Sequence, residues 1–279
     1  MVRIPGLAGR LILLRILSGI IAGWFVASSA TAQPRPVART EATVCTGEIS
    51  GTVGNLVVPV GAECTSMSLF VAGHVSVERD ATLRISGSGE CLMPDSGTFI
   101  TQKGIDVARG GTLSVGVTTV EIGGDIVALG ARGVGVVKIP CEGARGVVRG
   151  HIIVDGADAI GIMGLQIRDS VFVTGSGDEG LEVGANTIGG TLFVKDNKIV
   201  GAESPSIFAV HLNTVGRGTF IIGNDATMAI VPPLVGANTI THGSLVCLRN
   251  VPAPTNQDFD VVLPNIVLKG VKLGQCAGL

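Results

Sequence analysis

The sequence predicts an all-β chain wound as a parallel β-solenoid of about nine irregular coils. Three observations lead there. Glycine makes up 42 of the 279 residues, and short runs rich in Val, Ile and Thr are punctuated by Gly, Asn and Asp, with no long helical periodicity. Apolar residues two positions apart recur after a lead-in of glycine and a polar residue. The phrase Gly-Ala-Asn-Thr-Ile also stands twice, at 184–188 and at 236–240, 52 positions apart.

The chain opens on a leader, residues 1–32. Arg3, Arg10 and Arg15 make a positive start, Ile16 to Val26 is apolar, and Ala30-Thr31-Ala32 precedes Gln33-Pro34. This is the pattern of an export signal cleaved after Ala32. Retention as a membrane anchor is the alternative, although Arg15 leaves the apolar run short of the roughly 20 residues a spanning helix needs. Any membrane contact is expected only through this export signal. Residues 33–44 read as a linker and 45–279 as the solenoid domain.

Without the leader, 20 basic residues less three leave 17 against 22 acidic ones, a net charge of −5. That argues against a nucleic-acid footprint, which needs a clustered basic surface. Trp24 goes with the leader, and the chain has no Tyr, so stacking of bases or sugars on aromatic rings is poorly served.

The paired apolar positions are Leu56/Val58, Val75/Val77, Ile105/Val107, Ile126/Ala128, Ile152/Val154, Val171/Val173, Leu192/Val194, Phe220/Ile222 and Leu245/Cys247. Their first members span 189 residues (245 minus 56), so eight steps average about 24 residues, a length suited to one coil that buries its face only on its neighbours. Residues i and i+2 share one side of a strand, so the pairs should line the interior. A second short strand precedes several of them, at Leu69/Val71, Leu165/Ile167, Thr187-Ile188, Thr214-Val215 and Thr239-Ile240, with glycines turning the corners between. Asn186, Asn213 and Asn238 each open an Asn-Thr-apolar phrase one coil apart. Asn accepts left-handed backbone geometry, and stacked Asn side chains can bond along the axis, so the repeated phrase is structural.

The stretch from Cys45 to Cys64, the inner Asn-Thr-Ile-Gly-Gly-Thr-Leu-Phe-Val of 186–194 and the ending from Gly243 to Leu279 resemble a family of bacterial secreted repeat proteins. Its repeat reads G-N-T-[IV]-x-G-x-L-x-V. The resemblance covers 45–279 and implies a right-handed parallel β-helix, with no catalytic residue to transfer. The chain departs from that pattern between Gly87 and Gly104 and at Pro205 and Pro232-Pro233, where loop insertions are expected.

Six cysteines in an exported chain suggest a disulfide framework, with 15 possible connectivities. Cys45 and Cys64 bracket the first coil and Cys247 and Cys276 the last, which suits staples at the raw ends of a solenoid. Cys91 and Cys141 remain as a third pair. They hold a similar place in coils that are not adjacent, roughly 9.6 Å apart along the axis, so that bond needs the 87–99 loop to lean along the axis. No C-x-x-C or His/Cys spacing supports zinc, and no metal or other cofactor is expected.

Asp178, Glu179 and Glu182, with Asp155, Asp158 and Asp169 upstream, are the best candidates for carboxylate chemistry or calcium. No calcium-loop spacing and no obvious basic partner accompany them, so they read as solvated turn charges. His74 and His151 share a repeat position too far apart for a ligand pair, and His211 and His242 lie elsewhere. Neither a nucleophile elbow nor a phosphate loop is present. No catalytic residue is therefore assigned. The expected role is an exported non-catalytic structural or surface-interaction protein. A carbohydrate-active enzyme (a lyase or hydrolase) using a lateral face is the alternative.

The residue between each apolar pair should point outward. From the fourth coil it reads Val127, Ile153, Phe172, Phe193, Ile221 and Val246, six apolar positions forming a stripe roughly 24 Å long at about 4.8 Å per coil. Such a patch is seldom left bare. Either the tail, Phe259 to Leu273, or a second molecule should cover it, and the expected partner is a lateral homo-oligomer or another surface.

Overall fold

A computed structural model describes residues 42–87, 97–141, 145–200, 206–258 and 261–279. These residues form a right-handed parallel β-helix with no helical segment. The leader with its cleavage site, and Cys91, lie outside the described residues, and so does the expected bond between Cys91 and Cys141. Cys141 itself is disulfide-bonded.

Each complete coil gives one strand to each of three sheets. In one coil these are Val171–Thr174, Gly180–Gly184 and Thr187–Ile188, and the next coil begins at Leu192. We call the faces the first, second and third sheets. They hold eleven, eight and ten strands. The nine expected pairs fall on the first sheet, which Ala42–Val44 and Lys272–Gly274 extend at its two ends. Strand pairing thus begins inside the segment expected to be linker. Thr98–Thr101, in a stretch expected to depart from the repeat, is a regular strand of the third sheet.

The interior is filled by aligned columns of Val, Leu and Ile. Leu56, Val75, Ile105, Ile126, Ile152, Val171 and Leu192 are fully buried from the first sheet. Leu83, Leu113, Val134, Ile160, Leu181 and Phe208 stack from the second. Each buried side chain of this size is worth about 1.5–3 kcal/mol, and it packs chiefly on the coil above and the coil below.

One register differs from expectation. Leu192 aligns with Thr219 and Val194 with Ile221, so the eighth interior pair is Thr219/Ile221 and not Phe220/Ile222. The sequence cannot decide this, because Phe220, Ile221 and Ile222 are all apolar and a one-residue slip inverts every side chain. Parallel alignment with Leu192–Lys195 decides it. Thr219 therefore sits in the core, its Oγ1 without a hydrogen-bond partner among the described residues.

The asparagine ladder runs where the second sheet turns into the third. Asn186, Asn213, Asn238 and Asn265 are buried in register. Each Nδ2 donates to the Oδ1 of the next, at 3.1, 3.0 and 3.0 Å, and each main-chain N–H in that series donates to the same oxygen. For the first three the left-handed residue is the one before the Asn: Ala185, Leu212 and Ala237 have φ of 55°, 56° and 53°. Turning one residue early leaves the amide aimed inward. A second ladder, Asn197, Asn224, Asn250 and Gln275, occupies the turn from the first sheet into the second. At the remaining corner a Cβ on Gly189 or Gly216 would collide with a carbonyl oxygen of the preceding coil, so only glycine fits.

Both ends are stapled. Cys45–Cys64 and Cys247–Cys276 are disulfides with Cα separations of 5.5 and 5.2 Å, as the bracketing positions predict. The tail completes the last coil: Ile266–Val267 joins the third sheet and Lys272–Gly274 the first. It does not lie along the stripe.

Candidate functional site

The lateral stripe is a row on the outer surface of the first sheet. Val127, Ile153, Phe172, Phe193, Phe220, Val246 and Leu273 align one above another. Five of the six expected residues are in it. Ile221 is not, being fully buried, and Phe220 takes its place through the register shift described above. Leu273, from the tail that is one of the two candidates to cover the stripe, lengthens it instead. The ring centroids of Phe172 and Phe193 are 6.4 Å apart and those of Phe193 and Phe220 are 6.2 Å apart, tilted by 55° and 52°. His151 continues the aromatic stack at 6.0 Å from Phe172. Tilted rings at this separation hold one another in place. Ahead of Val127 two rungs are polar, Asp106 and Ser76, before the row returns to Val57, and Asp106 lies 2.9 Å from His74 Nε2.

Two residues further along each strand, the row beside the stripe reads Leu129, Asp155, Thr174, Lys195, Ile222 and Leu248. It is apolar at its ends and polar at its centre. Asp155 accepts a hydrogen bond from the Thr174 hydroxyl at 2.6 Å, and Lys195 pairs with Asp196 at 2.9 Å.

A concave site lies on a different face, over the second sheet. Glu182 and His211 come from adjacent strands, and His211 Nε2 lies 2.9 Å from Glu182 Oε1. The imidazole reaches the carboxylate by passing over Gly184, where a Cβ would stand 2.7 Å from Nε2. The pair opens into a pocket of about 480 Å³, also lined by Ile207, Phe208, Ile230, Pro232, Leu234 and Asp258. A shallower trough of about 340 Å³ shares Glu182 and runs across Gly161 and Gly135 to Ser114. Gly161 would meet nothing within 4 Å if it carried a Cβ, so packing does not demand glycine there.

Glu182 is thus a paired, half-buried group and not a solvated turn charge, whereas Asp178 and Glu179 are exposed. Its alignment with His211 was hidden because 29 residues separate them, and only the register of the second sheet brings them together. Among the described residues no group of three His, Cys, Asp or Glu side chains converges as a metal site. Comparison of the chain with family models, curated proteins and solved structures found no match.

Proposed function

We propose that this chain is an exported, non-catalytic structural or surface-interaction protein, a disulfide-capped rod that associates side to side through its apolar stripe. One observation carries the reading: seven aligned apolar side chains on the outer face of the first sheet, six of them half-buried among their neighbours and Leu273 exposed. Three mutually packed phenylalanines give that surface a fixed shape at little entropic cost on binding. Stapled ends and an oxidised Cys141 support an oxidising compartment, which agrees with the leader. The resemblance to bacterial secreted repeat proteins points the same way. The carbohydrate-active alternative draws less support, since Asp155 is engaged by Thr174 and Asp178 and Glu179 are exposed without a described basic partner.

Magnitude bears on the kind of association. A stripe of seven rungs is roughly 29 Å long and about 7 Å wide, on the order of 200 Å². A stable interface buries about 800 Å² on each partner. The stripe would therefore be the core of the contact, with Leu129, Ile222 and Leu248 contributing at its rim. Sedimentation of the mature protein over a range of concentrations should show reversible self-association. Phe172→Ser with Phe193→Ser should abolish it while leaving the far-ultraviolet spectrum unchanged. A wild type that stays monomeric at high concentration, with a double variant that simply unfolds, would refute the proposal.

A further inference from the structure

The pocket over the second sheet is unrelated to the stripe, and its chemistry is specific. We propose that it binds an aliphatic ammonium ion, with the charged head at Glu182 and His211 and the hydrocarbon against the apolar wall. The charged side chains lining it are the carboxylates Glu182 and Asp258, with no Lys or Arg among the lining residues. An ionised carboxylate can only accept, so in the neutral imidazole the hydrogen bond to Glu182 places the proton on His211 Nε2 and leaves Nδ1 as an acceptor. The lining is thus rich in acceptors and carries net negative charge, while an ammonium group offers three donors and one positive charge.

Most of the remaining wall is hydrocarbon, from Ile207, Ala209, Ile230, Val231, Pro232 and Leu234, with Thr255 and Gln257 as its polar members. Ile230 is 63% exposed, an apolar residue left at the edge of a largely apolar cavity. An alkyl chain would cover it. A volume of about 480 Å³ lies within the range of small-ligand sites, which bury most of their ligand against apolar walls and orient it with a few polar groups. A fatty acid would bring its carboxylate against two others. An alcohol of the same length would gain the wall but would leave the negative charge unanswered.

Calorimetric titration of the disulfide-intact protein with n-octylammonium, 1-octanol and octanoate separates these ligands. The ammonium should bind tightest and octanoate weakest. Glu182→Gln keeps an oxygen to accept from His211 but removes the charge. It should weaken n-octylammonium binding about tenfold, the worth of one charge-assisted hydrogen bond, and leave octanol unaffected. Asp258→Asn, at an exposed position, should weaken the ammonium by a smaller factor and serves if Glu182→Gln disturbs folding. Octanoate binding as well as the ammonium, ammonium binding unchanged in both variants, or no saturable binding of n-octylammonium would each overturn the assignment.

Discussion

The corner between the first and second sheets is built in two ways along the rod. In the early coils the chain turns through Pro59–Ala62, Glu78–Ala81 and Ala108–Gly111, and in each the last N–H donates to the carbonyl three residues back, at 2.9, 3.1 and 2.9 Å. In the late coils the buried corner residue follows the last inward-facing residue by three positions instead of four, and it is Asn197, Asn224 or Asn250, each bonded to the coil beyond, with Gln275 ending the series. Ala131, Ala157 and Ser176 stand between the two regimes: Ala131 and Ala157 are small and buried, and the Ser176 hydroxyl already accepts from the Ala157 N–H at 2.9 Å. An early corner meets the next coil through one backbone bond (Gly61 N–H to Arg79 O, Asp80 N–H to Arg109 O, Gly110 N–H to Gly130 O), whereas a late corner adds a buried side-chain amide bonded to its neighbour. Late coils should therefore be the more strongly coupled along the axis, since chained amides polarise one another.

Breaking one rung tests this with the largest effect. Asn224 Nδ2 donates to Val194 O at 3.1 Å and to Asn250 Oδ1 at 2.8 Å, and its Oδ1 accepts both from the main chain and from the side chain of Asn197. Asn224→Ala would leave several buried polar groups unpaired at about 1–3 kcal/mol each, so a loss of about 4 kcal/mol or more is expected. Hydrogen exchange should rise in several coils on both sides of the substitution. Ala81→Gly at an early corner should cost only about 1 kcal/mol, from a lost methyl and added chain freedom, with exchange rising locally. Equal spread of the two effects would end the distinction.

What the sequence allowed and what it hid follows from the same corners. Stacking of Asn186, Asn213 and Asn238 was readable because Thr and an apolar residue follow each one. The second ladder was not, because Asn197, Asn224 and Asn250 are followed by Lys, Asp and Val. Had it been recognised, Val194, Ile221 and Cys247 would each stand three residues before a ladder amide, and the interior place of Ile221 would have followed. The entire second sheet also escaped notice. Its outward positions include Gly135 and Gly161, which read as turn residues, although Val134/Val136 and Ile160/Ile162 alternate as strands do. The pocket was invisible for the same reason, since Glu182 and His211 meet only through that sheet.

The staple at the late end sharpens the comparison at intermediate size. Cys247 and Cys276 close a separation of 29 residues, worth about 2–4 kcal/mol by loop-closure arguments. Cys247→Ser should expose the last coil, loosen Gln275 from Asn250 and then spread backward through Asn224. Cys64→Ser, at the early end, should fray the first coil and stop there, since no ladder carries the loss inward. Exchange rates coil by coil distinguish the outcomes, and uniform loss of protection in either variant would contradict nearest-neighbour stacking.

The smallest expected effect concerns the left-handed residue that opens each turn from the first sheet. In the middle coils it is Gly130, Gly156 and Gly175, whereas two late coils place Asp196 and Arg249 there, at φ of 51° and 55°. A residue with a Cβ pays roughly 1 kcal/mol or more for this conformation, while glycine gives back about 0.5–1 kcal/mol through the unfolded chain. Arg249→Gly should accordingly stabilise the late end slightly, by about 0.5 kcal/mol, because the exposed Arg249 side chain makes no described hydrogen bond or ion pair. Gly156→Ala is the mirror experiment. A Cβ there would meet only Gly130 Cα at 3.6 Å, an ordinary contact, so its cost of about 1 kcal/mol would be conformational alone. Unfolding midpoints moving in opposite directions would show that the late coils tolerate a strained turn which their ladder holds in place. Midpoints moving together would mean that the turn conformation is not what separates the two halves.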